Sequence, residues 1–434
     1  MPPKICVTAY FSAATMNPMA ATTPATAVPT SPAPKPRRRW RQFSLRTLMV
    51  GMVVFSLLFA ALGIRAERAR RQAAAVATIR KFDHIVQYQE SSVPLWLTSW
   101  LGRDFFDDVK EVWCREGVQP QSPKDINQFA EAISDLSNVE SFRGEAPWID
   151  RRTTAWLGRQ STLRFLNLEK SNLGDSDVEP LQRLHQLEQL LITEGTIGDE
   201  AAKHLANFPN LKNLCLRRTQ IGDDGMALIA AGSPSLRMLQ LGETQVGDRG
   251  AAEIAKIQTL RDVKLDGTNV TDAGLVHLGR LQNLNWLQLS DTAITDRGVL
   301  YLASLSKLET LEISGTDVTG TPFEQFALDS QVENLVMNDC PVSDAGIRAV
   351  ARLSNLKNLH LNNLRTPLAS LDQIVWPTSL EEVHFSGSAL SDEGLARLAK
   401  CPNLKTVYVH RTQVTAEGIK QFKVSRPTAK VYGP

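Results

Sequence analysis

From Leu163 onward the apolar residues of this chain follow a pattern that returns every 24 positions. Leu163, Leu187, Leu211, Leu236, Leu260, Leu284, Leu308, Val332, Leu356, Leu380 and Leu404 open eleven units, and only the step from Leu211 to Leu236 is 25 residues. The segments LRDVKLDGTNVTDAGLVHLGRLQN from Leu260 and LNWLQLSDTAITDRGVLYLASLSK from Leu284 differ widely yet share the form LxxLxLxxTxhxDxGhxxhxxhxx, with h aliphatic. Val263 and Leu265 lie two apart, so both point to one side of a short strand, inward if that strand sits in a stacked parallel sheet. Leu275, Leu278 and Leu281 lie three apart and share one face of a helix packed behind the strand. Each unit is therefore predicted to be a strand, a turn and a return helix, and a period of this size describes a solenoid whose units bury a common core by stacking.

Between strand and helix the polar residues are periodic too. Ser171, Thr219, Thr244, Thr268, Thr292, Thr316, Ser388 and Thr412 place a small hydroxyl where it can bond local backbone in a turn. Downstream, Thr271-Asp272, Thr295-Asp296, Ser343-Asp344 and Ser391-Asp392 supply a helix cap followed by an acid in the first turn, where the helix dipole favours negative charge. Taken singly these aspartates look like ligands. In series they read as caps, and neither a shared catalytic role nor calcium binding is expected of them.

This pattern resembles the leucine-rich repeat, and its Thr-x-h-x-Asp-x-Gly half is similar to the helix-bearing ribonuclease-inhibitor and F-box-adaptor subclass. The resemblance implies an α/β, right-handed horseshoe with a parallel concave sheet and outer helices. The period also runs backwards to Val139 and Phe142, and before them Val109, Val112 and Cys114 start a longer, 30-residue unit with a helix from about Asp125 to Leu136. We expect about thirteen units over 109–434: 109–162 degenerate, 163–425 regular and 426–434 a C-terminal cap whose short strand closes the sheet. Residues 65–108, with Trp96, Trp100, Phe105 and Phe106, are expected to be a juxtamembrane segment and N-terminal cap, because terminal units must cover the open ends of the core. The unit from Leu356 departs most, with Leu364 at the Thr position and Pro367 at the Asp position, and its helix is expected to be shortened or replaced by loop.

Ahead of the array, residues 1–46 contain no acid, seven Lys or Arg and an Ala/Thr/Pro-rich stretch, a composition that reads as disordered. Residues 47–64, TLMVGMVVFSLLFAALGI, are uncharged and as a helix would span about 27 Å, near the thickness of a bilayer core. This segment is expected to be one retained transmembrane helix. The alternatives are a signal peptide cleaved near Ala61-Leu62-Gly63 and a buried soluble helix, the latter disfavoured by arginines on both flanks. More cations precede the helix than follow it, which predicts a cytoplasmic N-terminus and repeats outside the cytoplasm. FSLRTL from Phe43, the apolar helix and LGRDFFDDVKEV from Leu101 together resemble bacterial single-pass membrane-anchored leucine-rich-repeat proteins, a resemblance that implies architecture and no particular partner.

Charge narrows the classes of partner. Residues 1–81 hold thirteen Lys or Arg and one acid, so the chain's net +2 divides into about +12 there and −10 over residues 82–434. An acidic array does not suit nucleic acid, which needs concentrated cations, whereas basic flanks suit anionic headgroups. At the outward strand positions Lys170, Arg217, Arg218, Lys264 and Arg411 are outnumbered by acids, among them Glu169, Glu194, Glu243, Asp262, Asp266, Asp291, Glu312, Asp339 and Glu382. Five cysteines, spread over the tail and distant units, form no disulfide framework. His360 and His384 share one outward column with Tyr408, and His410 follows along the final strand. These four residues form a candidate contact patch, but with no acid or cysteine beside them no metal site is assigned. No nucleophile elbow, phosphate loop or zinc-protease motif occurs, so no enzyme and no cofactor is expected. The reading is a membrane-anchored module that binds a protein, or alternatively an envelope glycan, through Arg217, Arg218, Lys264, Trp286, His360, His384, Tyr408 and His410. Other readings are a substrate adaptor of ubiquitin-ligase type and a structural envelope protein.

Overall fold

The computed structural model describes residues 44–89, 93–115, 122–144, 149–364 and 374–433. The chain divides at Ala60, and the part before it contributes, among the described residues, only the apolar start of one helix. That helix, α1 (Leu45–Lys81), is long and apolar enough to cross a membrane, and its apolar window is wholly exposed. It runs 17 residues past the expected end at Ile64, because RAERARRQAAAVATIRK is rich in Ala and Arg, both strong helix formers. The expected disordered tail lies outside the described residues up to position 43, and Leu45 and Arg46 are already helical.

From Ala61 on, fifteen strands form one sheet in chain order. β1 (Ile85–Tyr88) pairs antiparallel with β2 (Val109–Cys114), and every later pair is parallel. Next come β3 (Ser141–Gly144), β4 (Phe165–Leu168), β5 (Gln189–Ile192), β6 (Asn213–Cys215) and β7 (Met238–Gln240). They are followed by β8 (Asp262–Lys264), β9 (Trp286–Gln288), β10 (Thr310–Glu312) and β11 (Asn334–Val336). The last are β12 (Asn358–His360), β13 (Glu382–His384), β14 (Thr406–Tyr408) and β15 (Lys430–Tyr432). The register advances by whole units, as in Val263 opposite Leu287 and Leu287 opposite Leu311. Leu260, Val263, Leu265, Leu275, Leu278 and Leu281 are all fully buried in a core that runs the length of the array. At roughly 25 cal/mol per Å² of apolar surface, burying one leucine side chain contributes about 2 kcal/mol.

The helices behind the strands are short, mostly seven residues as in Asp272–Leu278, and three units use 3₁₀ geometry over Glu179–Arg183, Leu300–Ser304 and Thr321–Gln325. The single 25-residue step is absorbed on this outer side: the helix Asp223–Gly232 has ten residues, while the strand register Asn213 to Met238 is kept. In the unit from Leu356, Leu364 is half-buried, and the substituted position Pro367 lies outside the described residues.

The N-terminal cap differs from the expectation. Trp96 and Trp100, on α2 (Leu95–Leu101), cover no core, being 68% and 77% exposed, and no residue of that helix is buried. Ala75, Val76 and Ile79 from the second half of α1 close the core instead, together with Val86 of β1. Gln72, buried on the same helix face, donates to the Asp107 carbonyl at 2.8 Å and to Asp104 Oδ1 at 3.1 Å. Spacing hid this, because Gln72, Ala75, Val76 and Ile79 do form a helical stripe but follow directly on an uninterrupted run of Ala and Arg. The helix α3 (Pro123–Ser134) matches the expected first outer helix, with Ser122 capping Asp125 N.

The Thr, Asp and Gly columns carry different bonds from one another. Thr219, Thr244, Thr268, Thr292 and Thr316 each donate Oγ1 to the carbonyl three residues earlier at 2.6–2.7 Å, the local turn bond expected of them. The aspartates reach further than their own helix dipole. Asp248 Oδ1 accepts from Thr271 N and Gly274 N of the next unit, both at 2.8 Å, and Oδ2 accepts from Thr271 Oγ1 at 2.7 Å. Asp175, Asp199, Asp223, Asp272 and Asp392 make the equivalent first bond to Gly198, Gly222, Gly247, Thr295 and Thr415. Gly250 and Gly274 are glycine for the same reason, since a Cβ there would stand 2.7 Å from the preceding unit's aspartate.

A further column had no counterpart in the sequence reading. Lys170, Glu194, Arg218, Glu243, Asp291, Asp339, Asn363 and Arg411 adopt φ of 52–60°, and Gly267, Gly315 and Gly387 hold the equivalent places. From β4 to β14 the chain leaves each strand through a left-handed residue, a conformation L side chains adopt at a cost of about 1–2 kcal/mol. Lys170, Arg218, Arg411 and these acids were expected at outward strand positions, and they stand instead in the turns.

Candidate interaction surface

The sheet face opposite the helices is lined by two columns, one on each side of the buried central strand residue. From β8 to β14 the first runs Asp262, Trp286, Thr310, Asn334, Asn358, Glu382, Thr406, and the second Lys264, Gln288, Glu312, Val336, His360, His384, Tyr408. The scaffold beneath is uniform, so these side chains are what distinguishes one stretch of the face from another.

The expected site residues fall into three separate groups. Arg217 and Arg218 follow β6. Arg217 pairs with Glu243 and, at 2.9 Å, with Asp266 Oδ2. Arg218 bonds Glu243 Oε2 at 2.9 Å and Glu194 Oε1 at 3.4 Å. Hydrogen bonds from Arg218 and Arg217 hold the Glu243 carboxyl below its usual range, and Glu243 in turn raises Arg218. The two arginines thus tie adjacent units together, and their charge is already matched. Asp266, expected outward, is buried against Arg217. Cys215, also expected outward, is covered, with its thiol pushed up by burial.

Lys264 and Trp286 form the second group, with Nζ 4.4 Å from the ring centroid and Trp286 36% exposed. The third lies at the C-terminal end, where parallel strands bring their rings into register. His360 stacks on His384 at 3.9 Å between centroids, His384 on Tyr408 at 4.1 Å, and Tyr408 on Tyr432 at 4.8 Å. Tyr432 was missed in sequence, where β15 was read only as a closing strand, although it lies 24 residues after Tyr408. His410 stands beyond the end of β14, exposed and outside this stack, which corrects its placement on the final strand. Burial, then the neighbouring His384, lowers His360 to about 4.

The acid judged absent from the histidine patch is present. Glu382 sits two residues before His384 in β13, and its Oε1 lies 2.7 Å from His384 Nε2. Donor atoms of His360, Glu382 and His384 all fall within 4.8 Å of one another. Alternation places Glu382 on the same face as His384, in the column beside the histidines. One more group escaped the sequence reading: Arg143 of β3 lies over Trp113 of β2 at 5.9 Å and Phe165 of β4 at 4.7 Å.

Units of strand, turn and return helix, sharing one core and one sheet, define a leucine-rich-repeat solenoid, and the chain is a leucine-rich-repeat protein. Residues 161–318 match the leucine-rich repeats described for an FBD-associated F-box protein, and residues 377–399 match a general leucine-rich-repeat family. No curated protein matches the sequence. Among solved structures, an internalin of Listeria monocytogenes is similar over 74% of this chain and 86% of its own, with 19% identity and a TM-score of 0.53. A leucine-rich-repeat protein of Leptospira interrogans covers 72% of this chain and 93% of its own at 14% identity, with a TM-score of 0.45. At 19% identity the likeness to the internalin is one of fold.

Proposed function

We propose that the chain is a non-catalytic, membrane-anchored interaction module that presents the open sheet face to a protein partner. The observation that carries this reading is the contrast across the sheet: inward positions are uniformly apolar and buried, while the outward columns offer unlike, part-exposed side chains, with Trp286 the large aromatic among β8–β14 that reaches solvent most. Exposed aromatics that lose little entropy on contact are favoured anchors for protein partners. Trp113, 42% exposed beside Arg143, supplies a second anchor of the same kind.

Anchoring rests on the apolar half of α1 and gains support from α2. Arg65, directly after the apolar run, donates to the Phe105 and Phe106 carbonyls at 2.7 and 3.1 Å. This bond ties the end of the apolar segment to the residues that follow α2, whose Leu95, Trp96 and Trp100 face solvent. Tryptophan-rich apolar surface beside the exit of an apolar helix suits the headgroup region of a bilayer. The helix also passes through Ala61–Gly63 without a break, which favours a retained anchor over a cleaved signal. The adaptor reading lacks support, since among the described residues of 65–108 the second half of α1 and β1 pack onto the array's core and α2 is a single exposed helix, so no separate helical cluster is present.

Capture of partners by the full chain from detergent-solubilised membranes tests the proposal. Trp286→Glu should lose the specific partner, while Leu300→Glu, on the outer helical side and 45% exposed, should retain it. Equal capture by both variants overturns the sheet-face reading. Charge reversal at Arg217 or Arg218 is unsuited to this test, because it would break the ion pairs between units. A reporter fused after Pro434 reads sidedness, and activity on the cytoplasmic side would overturn an outward-facing array.

A further inference from the structure

We propose that His360, His384 and Glu382 form a binding site for a divalent transition-metal ion of the zinc class, set on the sheet face across β12 and β13. The donors are two imidazoles and one carboxylate, the set that a three-ligand zinc site uses when it leaves its fourth position to water or an incoming ligand. They come from paired strands of the sheet. His360 and His384 occupy paired positions in adjacent parallel strands, and Glu382 and His384 share one face of a single strand. Backbone position, and not loop conformation, brings the three together.

The distances suit an ion. Zinc bonds of 2.0–2.1 Å in a tetrahedron place ligand atoms about 3.3 Å apart. The three donors now lie within 4.8 Å of one another, and His384 Nε2 and Glu382 Oε1 are 2.7 Å apart. Small rotations of half-buried side chains close the wider separation and open the narrower one. In the absence of the ion a hydrogen bond joins His384 Nε2 to Glu382 Oε1. Binding replaces that hydrogen bond, with Nε2 free to ligate in the neutral tautomer that carries its single proton on Nδ1. Tyr408, stacked on the far side of His384 at 4.1 Å, limits how far that ring can swing. It therefore acts as a positioning residue rather than a ligand.

The site differs from the chain's other histidines. His277 stands on an outer helix and His410 in a turn, neither joining this cluster of donors. The proposal is independent of what the sheet face binds. An ion there would pin β12 to β13 and offer an open coordination position, which an acidic side chain of a partner could fill.

Titration of the full chain in detergent micelles with zinc chloride, against a chromophoric chelator, tests the site. One zinc ion per chain is expected at micromolar zinc. His384→Ala and His360→Ala should each weaken binding by about tenfold or more, the scale on which even outer-shell ligand partners act. Glu382→Gln should weaken it less, and His277→Ala should leave it unchanged. X-ray absorption of the loaded protein should report two imidazole nitrogens and at least one oxygen. Absence of uptake at micromolar zinc, or uptake unaltered in the His360→Ala/His384→Ala double variant with its circular dichroism intact, overturns the proposal.

Discussion

Replacing Asp248 by alanine decides between two accounts of the aspartate column. If Asp248 serves only the dipole of its own helix, Asp248–Ile254, its loss costs about 0.3–1 kcal/mol. The structure gives it more to do. Its two oxygens accept three hydrogen bonds from Thr271 N, Gly274 N and Thr271 Oγ1 of the next unit, at 2.7–2.8 Å. Bonds to a charged acceptor contribute about 1.5–3 kcal/mol each when fully buried. Thr271 is only half-buried and water can reach part of the site, so we expect a total near 3 kcal/mol. Asp248→Asn should cost about 1 kcal/mol, because an amide oxygen still accepts both backbone bonds. Hydrogen exchange of the full chain, read at the amides of Thr271 and Gly274, is the assay. At 1.36 kcal/mol per tenfold, the alanine variant should exchange on the order of a hundred times faster there. Asp224→Ala is the control, since Asp224 is a first-turn acid whose bond is to the exposed Arg249. If the Asp224 and Asp248 variants change protection equally, the dipole account suffices and the inter-unit bonds carry nothing.

Four other outcomes follow from the geometry. Asp291→Val, which puts a β-branched residue at φ 54°, should destabilise by about 1–2 kcal/mol, whereas Asp291→Gly should be neutral or better, both read by denaturant unfolding. His360 should titrate near 4 by NMR in metal-free buffer. Because that value lies below the unfolded 6.5, the unfolded chain binds more protons between the two, so stability is complete above about 6.5 and falls as pH drops toward 4; an ordinary titration would refute the stacked geometry. Cys401, raised to about 11 by burial, should resist alkylation at pH 8 in the native chain, and rapid labelling there would show that its cover is loose. Trp96→Ala with Trp100→Ala should leave the unfolding of the array unchanged, since neither ring covers core, and a loss comparable to a buried tryptophan would restore them to the cap.

Much of the scaffold was legible because its forces repeat. Apolar spacing of two and three, copied eleven times, distinguishes core from surface better than any single helix or strand could, and the Thr column announced its turn bond through residue type alone. What stayed hidden was contact between units. Asp248 looks the same in sequence whether it caps its own helix or accepts bonds from the next, and Arg217 looks available until Glu243 and Asp266 are seen beside it. The left-handed column left a faint trace, since Gly267, Gly315, Gly387, Asn363, Asp291 and Asp339 are residues that tolerate φ above zero, but Lys170, Arg218 and Arg411 at the same place obscured it. In the histidine patch the column was read correctly along one diagonal, and Glu382 on the neighbouring diagonal was overlooked.

The extra residue between Leu211 and Leu236 is taken up by a longer outer helix while the strand register holds. Growth is thus allowed on one side of the array and refused on the other. A short epitope tag or fluorophore inserted between the exposed Pro234 and Ser235 should be carried as harmless baggage, whereas a single residue added to the three-residue strand Asp262–Lys264 would turn the residues that follow it in that strand onto the wrong surface. Natural variants of such a chain should accordingly collect their insertions and deletions behind the sheet, leaving the open sheet face uniformly spaced.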